Sequence, residues 1–264
     1  METLSLIYFS PTGTTQKIVR EIGQKTGLKL ISENNITHNQ DEFKPAVSGD
    51  CLTIIGIPVY GGRVPIEAIE ALKKLQSNQS PVVIVVVYGN REYDDALLEL
   101  KEVAINCGFR IIAGAAFIGE HSFSSKDKPI AKNRPDKQDL IKCRDFAELI
   151  NKKLNEIRDA NTPAELNVPG KYPYKERKQL PATVHPITDN NLCNQCGTCV
   201  DICPVNAITI EGTEITNGEL CTWCCACVKH CPNEARIFDN PTINAVKKKL
   251  FLNCSIRKEP VYFV

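Results

Sequence analysis

Apolar runs alternate with segments of helical periodicity in the first part of the chain, residues 1–160. Residues 3–9, Thr-Leu-Ser-Leu-Ile-Tyr-Phe, form an apolar run with the length of a buried strand. Similar runs recur at 28–32, 51–57, 82–88 and 110–118. Apolar residues at helical spacing occupy the segments 14–26, 65–76, 94–107 and 136–159. Continuous apolar strands separated by helices predict a doubly wound α/β domain with a parallel five-stranded sheet. Residues 33–50 are polar and carry no pattern.

The loop after the first apolar run is a candidate anion site. Its sequence is Ser10-Pro11-Thr12-Gly13-Thr14-Thr15, and its hydroxyl and N–H groups converge on the start of a predicted helix. The loop lacks the Gly-Lys-Ser/Thr ending of an ATP- or GTP-binding P-loop. The chain also contains no Gly-x-Gly, so the Rossmann dinucleotide fingerprint is absent.

A duplicated cysteine pattern follows between residues 192 and 232. The first copy is Cys193-x2-Cys196-x2-Cys199-x3-Cys203-Pro204. The second copy has the same spacing and reads Cys221-x2-Cys224-x2-Cys227-x3-Cys231-Pro232. This is the cysteine spacing of bacterial two-cluster ferredoxins, and it predicts two [4Fe–4S] clusters. Structural zinc is the less favoured alternative, because zinc sites more often pair two separate CxxC knuckles.

Composition narrows the class of protein. The chain has 264 residues, 42% of them hydrophobic, with a formal net charge of +1. This length favours two domains, and the charge gives no electrostatic case for a nucleic-acid or membrane partner. Eight of the thirteen cysteines belong to the repeat, which indicates metal ligands in a reducing cytoplasm rather than disulfides. The N-terminus has no signal-peptide pattern, and the longest apolar run is too short to span a bilayer.

Changes in composition predict the domain boundaries. We expect a first domain at 1–160, a proline-rich basic linker at 161–186, a cysteine-rich domain at 187–240 and a C-terminal tail at 241–264 that packs on the body. The basic residues of the linker are interpreted as solvated side chains, with a docking surface for an acidic partner as the alternative.

Over nearly its whole length the chain resembles the fusions, found in anaerobes, of a flavodoxin-like domain with a bacterial-type 2[4Fe–4S] ferredoxin. The resemblance implies a flavodoxin-like sheet of order 2-1-3-4-5 followed by a small α+β ferredoxin-like domain. It also implies that Cys193, Cys196, Cys199 and Cys231 hold one cluster, and that Cys221, Cys224, Cys227 and Cys203 hold the other. The loop at 10–15 is similar to the phosphate loop of flavodoxins, which implies FMN as the second cofactor.

The same resemblance implies an FMN site built from three loops. Its candidate residues are Ser10, Thr12, Gly13, Thr14, Thr15, Pro58, Val59, Tyr60, Gly61, Gly62, Tyr88, Gly89, Asn90, Arg91 and Tyr93. Tyr60 and either Tyr88 or Tyr93 are the candidates for stacking on the flavin ring. A tyrosine after an apolar strand is, however, more often an edge of the core. For His121 the sequence leaves open a position beside the flavin and, as the commoner case, a solvated loop histidine.

Two cluster sites and a flavin site in one chain predict an electron-transfer iron–sulfur flavoprotein. The first hypothesis is a carrier that relays electrons between redox protein partners. The alternative is a flavin-dependent reductase that acts on a quinone, a disulfide or oxygen, with electrons supplied through the clusters. Whether the chain is an enzyme therefore stays open, as does whether a homodimer brings one chain's clusters to the other's flavin. A regulatory iron–sulfur module is disfavoured, because the sequence shows no DNA-binding element.

Overall fold

A computed structural model describes residues 1–38, 50–159 and 166–264 of the chain. Its first five strands are β1 (Thr3–Tyr8), β2 (Lys29–Asn35), β3 (Cys51–Pro58), β4 (Pro81–Tyr88) and β5 (Arg110–Ile118). They run parallel in the order β2-β1-β3-β4-β5. This is the flavodoxin-like order, and the predicted fold class is confirmed. Much of the unpatterned segment 33–50 lies outside the described residues.

Helices cover both faces of this sheet. They are α1 (Thr14–Lys25), α2 (Ile66–Leu72), α3 (Ala96–Asn106) and α4 (Lys137–Asp159). One apolar core lies between the sheet and α2 with α3, and a second lies between the sheet and α1 with α4. Because both faces are covered, β3 and β4 are buried along almost their whole length. The free cysteines Cys51, Cys107 and Cys143 are buried among these apolar residues.

The cysteine-rich part forms a small α+β unit. Its elements are β6 (Ile187–Thr188), α5 (Thr198–Asp201), β7 (Ile208–Glu211), β8 (Thr213–Thr216), α6 (Ala226–Lys229) and β9 (Arg236–Ile237). Strand β6 pairs antiparallel with β9, and β7 pairs antiparallel with β8. The predicted α+β ferredoxin-like class is confirmed.

The sequence repeat of this unit is also a backbone repeat. Left-handed backbone conformations occur at Gln195 (φ 58°) and Trp223 (φ 57°), and again at Asn206 (φ 51°) and Glu234 (φ 53°). In each pair the two residues hold equivalent positions in the two copies of the cysteine pattern. The shared conformation means that the two halves fold their loops in the same way.

The C-terminal tail adds an element that the apolar pattern did not predict. After α7 (Pro241–Asn253) the chain crosses back to the first domain and ends in β10 (Val261–Phe263). Strand β10 pairs antiparallel with β5 and becomes a sixth strand at the edge of the sheet. Such a short strand cannot show an alternation of apolar and polar residues, so no sequence signal marks it.

The described part of the connector, from residue 166 onward, lies against the first domain. Leu166 is buried in the core beside α2 and α3. The carboxylate of Asp95 accepts hydrogen bonds from the backbone N–H groups of Lys171 (2.9 Å) and Lys175 (2.7 Å). Arg177 pairs with Glu99 at 2.7 Å. Backbone N–H groups and the Arg177 side chain therefore bind the connector to carboxylates of the same chain.

Candidate functional site

The loop between β1 and α1 presents the start of a long helix to a cleft. The backbone turns at Gly13, whose φ of 80° is a conformation that glycine adopts at little cost. The hydroxyl of Ser10 accepts a hydrogen bond from the N–H of Gln16 at 3.0 Å, which fixes the loop against the helix. The first turn of α1 carries no acidic residue. Its positive end is therefore available to an anion.

This cleft lies at the carboxyl ends of the parallel strands, where β1, β3, β4 and β5 release their loops. Predicted residues that line it are Ser10, Thr12, Thr14, Thr15, Pro58, Val59, Tyr60, Tyr88 and Gly89. Six lining residues were not among the predicted set: Pro11, Val87, Gly119, Glu120, Ser122 and Cys224. His121, for which the sequence left two positions open, also lines the cleft.

Other predicted residues are not among those that line the cleft. They are Gly13, Gly61, Gly62, Asn90, Arg91 and Tyr93. Gly62 packs so closely against Asp94 that a Cβ at this glycine would collide with the Asp94 carboxylate. Arg91 pairs with the same carboxylate. The Asn90 side chain donates to the carbonyls of Cys254 (2.7 Å) and Ile256 (2.8 Å), so the tail occupies it.

Tyr60, Tyr88 and Tyr93 were the candidates for stacking, and they differ in how far they are buried. The Tyr88 side chain is 4% exposed and packs against Tyr93, with ring centroids 5.4 Å apart. Burial raises the pKa of Tyr88 to about 12, as expected for a phenol inside a core. Tyr60 lines the cleft and is less buried than Tyr88. Tyr60 is thus the aromatic ring whose position best fits stacking on a ligand in this cleft.

His121 is a packed residue rather than a solvated loop histidine. Its ring lies against Gly89, where it fills the space that a Cβ would need. Its Nδ1 accepts a hydrogen bond from the N–H of Phe123 at 3.0 Å. Burial, and then the positive charges of Arg91 and Lys229, lower the pKa of His121 to about 4. The ring is therefore neutral at physiological pH, with its proton on Nε2.

The eight cysteines of the repeat line two cavities, four in each. We call the first the outer cavity, and it is lined by Cys193, Cys196, Cys199 and Cys231. The second, which we call the inner cavity, is lined by Cys203, Cys221, Cys224 and Cys227. Each cavity takes three cysteines from one copy of the pattern and the fourth from the other copy. This is the division that the resemblance to two-cluster ferredoxins implies.

Backbone N–H groups point at the sulfur atoms in both halves. The N–H of Ala207 donates to Cys203 Sγ at 3.2 Å, and the N–H of Ala235 donates to Cys231 Sγ at 3.3 Å. The two donors hold equivalent positions in the repeat, as do their acceptors. Thiolates and iron–sulfur clusters are stabilised by such donors, so the loops have the chemistry that anionic sulfur requires.

Cys224 lines both the inner cavity and the cleft. Burial raises the pKa of Tyr60 well above its usual value, and the nearby side chains of Cys224, Glu67 and Cys225 raise it further. Because Tyr60 and Cys224 both line the cleft, and Cys224 also lines the inner cavity, the two sites adjoin within one chain. The sequence did not reveal this contact, because Tyr60 and Cys224 lie in different domains, far apart along the chain.

Polar and aromatic contacts hold the cysteine-rich unit against the cleft. His230 Nε2 lies 3.2 Å from the carbonyl oxygen of Pro11, in the anion-site loop. Lys229 donates to the carbonyl of Ser124 at 2.8 Å and pairs with Glu120 at 3.2 Å. Phe123 packs edge-on against Phe238, with ring centroids 5.9 Å apart. The relative position of the two units is thus fixed by several independent contacts.

Trp223 and Cys225 belong to the same apolar cluster as Phe123 and Phe238. Trp223 packs against Phe238 at a centroid distance of 5.7 Å. Cys225 is 3% exposed and has a φ of 61°, at the repeat position that Gly197 (φ 80°) occupies in the first half. Its side chain lines the inner cavity together with the four predicted ligands.

The described residues include no group of three or more His, Cys, Asp or Glu side chains placed to hold a single metal ion. Within the same part of the chain, no helix is long and apolar enough to cross a membrane.

Comparisons with known proteins agree with this division of the chain. A family model described as a 4Fe-4S binding domain matches residues 186–209. No curated protein matches the chain. Among solved structures, the chain is similar to a flavodoxin from Streptococcus pneumoniae TIGR4, with 18% identity, coverage of 57% of this chain and 99% of that chain, and a TM-score of 0.41. It is also similar to oxidised Flavodoxin 2 from Bacillus cereus, with 18% identity, coverage of 57% and 99%, and a TM-score of 0.42.

A further similar structure is the rubredoxin:oxygen oxidoreductase from the anaerobe Desulfovibrio gigas. It shares 16% identity over 61% of this chain, with a TM-score of 0.45, and the match spans 38% of that protein. The fold assignment itself rests on the strand order β2-β1-β3-β4-β5. The segment that matches the family model contains the first four cysteines of the repeat. The chain therefore joins a flavodoxin-like α/β domain to a 4Fe-4S binding domain, as a flavodoxin–ferredoxin fusion does.

Proposed function

We propose that the chain is an electron-transfer iron–sulfur flavoprotein that relays electrons between two [4Fe–4S] clusters and FMN. In this proposal, 1–160 is the flavin domain, 161–186 the connector, 187–240 the ferredoxin domain and 241–264 a tail that joins them. The observation that carries the proposal is the position of Cys224, which lines both the inner cavity and the cleft. One cysteine thus belongs to the walls of both sites.

The eight cysteines are proposed as cluster ligands, divided between the outer and inner cavities. Four thiols around each cavity supply the ligand number of a [4Fe–4S] cluster. The backbone donors to Cys203 and Cys231 support the same assignment, since hydrogen bonds to sulfur stabilise a negatively charged cluster. Structural zinc stays the alternative, and metal analysis distinguishes it from iron.

FMN is proposed to occupy the cleft, with its phosphate at the start of α1. Thr12, Thr14 and Thr15 offer hydroxyl groups there, and the positive end of the helix favours an anion. Tyr60 is proposed to stack on the flavin ring, and neutral His121 also lines the cleft. The remaining predicted flavin contacts, at Gly13, Gly61, Gly62, Asn90, Arg91 and Tyr93, receive no support from the lining of the cleft.

When bound, the clusters exchange one electron at a time, and FMN exchanges one or two. The contribution of the chain is to hold the three sites in a fixed order: the outer cavity, the inner cavity and then the cleft. His230 and Lys229 keep the inner cavity beside the anion-site loop. We infer that the physiological partners are redox proteins, that the chain works in the cytoplasm, and that no second copy is needed to connect its sites.

The test of the cofactor assignment is anaerobic purification followed by iron, sulfide and flavin analysis. The proposal predicts two four-iron clusters and one FMN per chain. Zinc in place of iron, or a preparation that binds no flavin, contradicts it. Steady turnover with a quinone or disulfide would instead favour the flavin-dependent reductase.

The phosphate site has a sharper test in Thr12→Val. This change keeps the shape of the side chain but removes a hydroxyl that we expect to bind the phosphate. A hydrogen bond to a charged group contributes about 1.5–3 kcal/mol, so we expect FMN to bind at least about tenfold more weakly. Binding of riboflavin, which lacks the phosphate, is expected to change little.

Isothermal titration of the flavin-free protein measures both affinities. The control is Thr183→Val, at an exposed threonine outside the cleft, which is expected to change neither affinity. Equal losses of FMN and riboflavin affinity in Thr12→Val would show that this loop does not bind the phosphate.

A further inference from the structure

Arg236 is a buried cation between the two cysteine-lined cavities. It begins β9, its side chain lines both the outer and the inner cavity, and the residue is only 3% exposed. A guanidinium stays protonated throughout the physiological pH range, so its positive charge is permanent. A permanent charge buried beside two proposed cluster sites must act on both of them, since the low dielectric of the interior screens it weakly.

Hydrogen bonds fix the direction of this side chain. One terminal nitrogen donates to Thr188 Oγ1 at 2.8 Å. The other donates to the Pro186 carbonyl at 3.1 Å and to Thr216 Oγ1 at 3.0 Å. The same nitrogen lies 3.8 Å from Cys227 Sγ, within hydrogen-bonding range for sulfur. The guanidinium is therefore held next to a proposed ligand of the inner cavity.

The first copy of the repeat has no cation at the position equivalent to Arg236. At the position equivalent to Arg236, the first copy has Ile208, which begins β7 as Arg236 begins β9. Ile208 is buried but carries neither a charge nor a side-chain hydrogen-bond donor. The cysteine equivalent to Cys227 is Cys199, which lines the outer cavity. The two halves share their fold and their cysteines, and they differ in charge at this position.

We propose that Arg236 makes the inner cluster easier to reduce than the outer cluster. This inference rests on the proposed function, since it needs both cavities to hold iron–sulfur clusters. Reduction adds one negative charge to a cluster, and a nearby fixed positive charge stabilises the more negative state. A hydrogen-bond donor to a ligand sulfur also stabilises the reduced cluster. Both effects are directed to Cys227, so the reduction potential of the inner cluster rises relative to that of the outer one.

The charge difference gives the relay a direction. The outer cavity includes Cys196, whose side chain is exposed, and the inner cavity shares Cys224 with the cleft. An electron that enters at the outer cluster from a partner therefore moves to a site of higher potential next to the cleft. Arg236 acts by holding a positive charge beside the inner cluster, and it touches no substrate.

Spectroelectrochemical titration of the intact protein, followed by electron paramagnetic resonance, tests the inference. Wild-type protein is expected to show two resolved one-electron couples for its clusters. Arg236→Gln keeps donors but removes the charge, and is expected to shift the higher couple to more negative values so that the gap narrows. Arg236→Lys keeps a charge at this site and is expected to retain most of the gap. The control Lys248→Gln removes an exposed cation from α7 and is expected to leave both couples unchanged.

Each outcome of this titration supports or overturns the inference. Two coincident couples in the wild-type protein, or a gap that survives Arg236→Gln, overturn it. If Arg236→Gln does not retain its clusters, the inference is tested on the wild-type protein and Arg236→Lys alone. Loss of the gap between the two couples in Arg236→Lys, which keeps the charge, would then overturn the inference. The titration reads the clusters and not the flavin, so a protein without FMN leaves the inference standing while the proposed relay fails. A protein without iron overturns both.

Discussion

At the scale of single residues, one neutral and one charged side chain border the cleft and the two cavities. His121 is held neutral beside the cleft, and Arg236 is held charged between the cavities. The sequence predicted the eight cysteines, because ligand spacing is a local property. It did not predict that Cys224 lines the cleft or that Arg236 lines both cavities, since these positions depend on contacts between segments far apart along the chain.

His121 predicts a dependence of stability on pH. Its folded-state pKa of about 4 lies below the ordinary histidine value of about 6.5, so the unfolded chain takes up a proton first as the pH falls. The stability that neutral His121 contributes is therefore present at neutral pH and is lost progressively as the pH falls below about 6.5. We expect a loss of about 1 kcal/mol between about pH 7.5 and about pH 5.5 from this residue.

Thermal unfolding followed by circular dichroism, at these two pH values, measures the loss. The matched variant is His121→Asn, whose side-chain oxygen can still accept the N–H of Phe123 but cannot titrate. We expect the variant to lose less stability than the wild type over this range. Equal losses in the two proteins would mean that His121 is already charged, or solvated, in the folded state.

At the scale of elements, the strands and helices of the first domain were predicted well because the strands are continuous apolar runs and the helices have apolar residues at helical spacing. The predicted helix at 65–76 is shorter in the structure, where α2 ends at Leu72. Strand β10 and the course of the connector were not predicted, because short or extended segments gain their stability from partners elsewhere. Asp95 illustrates the difference: it is the N-cap residue of α3, and its carboxylate also accepts the backbone N–H groups of Lys171 and Lys175, which lie far away along the chain.

The tail is fastened by one buried asparagine, and this gives a prediction. Asn90 is 2% exposed, donates to two tail carbonyls and accepts the N–H of Lys258 at 3.1 Å. Asn90→Ala leaves these buried backbone groups without their partner, and each such group costs about 1–3 kcal/mol. We expect the variant to be destabilised by about 2–3 kcal/mol in total and its tail to be cut sooner by proteases.

Thermal unfolding and limited proteolysis check this expectation. The control is Asn155→Ala, at an exposed asparagine of α4, which is expected to be neutral or slightly stabilising. A tail that remains protected in Asn90→Ala would mean that the pairing of β10 with β5 and the Arg257–Asp136 ion pair at 2.6 Å are sufficient.

At the scale of the whole molecule, the flavodoxin-like domain and the cysteine-rich unit pack against each other, as the proposed relay requires. The tail returns to the sheet, the connector lies along α3, and His230 and Lys229 reach the loops around the cleft. The sequence predicted both domains but left open whether the proposed cofactor sites meet within one chain. The contact of Cys224 with the cleft supports a path inside a single chain.

The path inside a single chain is tested most directly by the rate of flavin reduction. The clusters are first reduced by a light flash under anaerobic conditions. The rate constant is followed by flavin absorbance while the protein is diluted over roughly a hundredfold range, with the monomeric state checked by sedimentation. A path within one chain predicts a first-order rate constant that does not change with concentration. A rate that falls in proportion to protein concentration would show that electrons pass between chains, and would contradict the account.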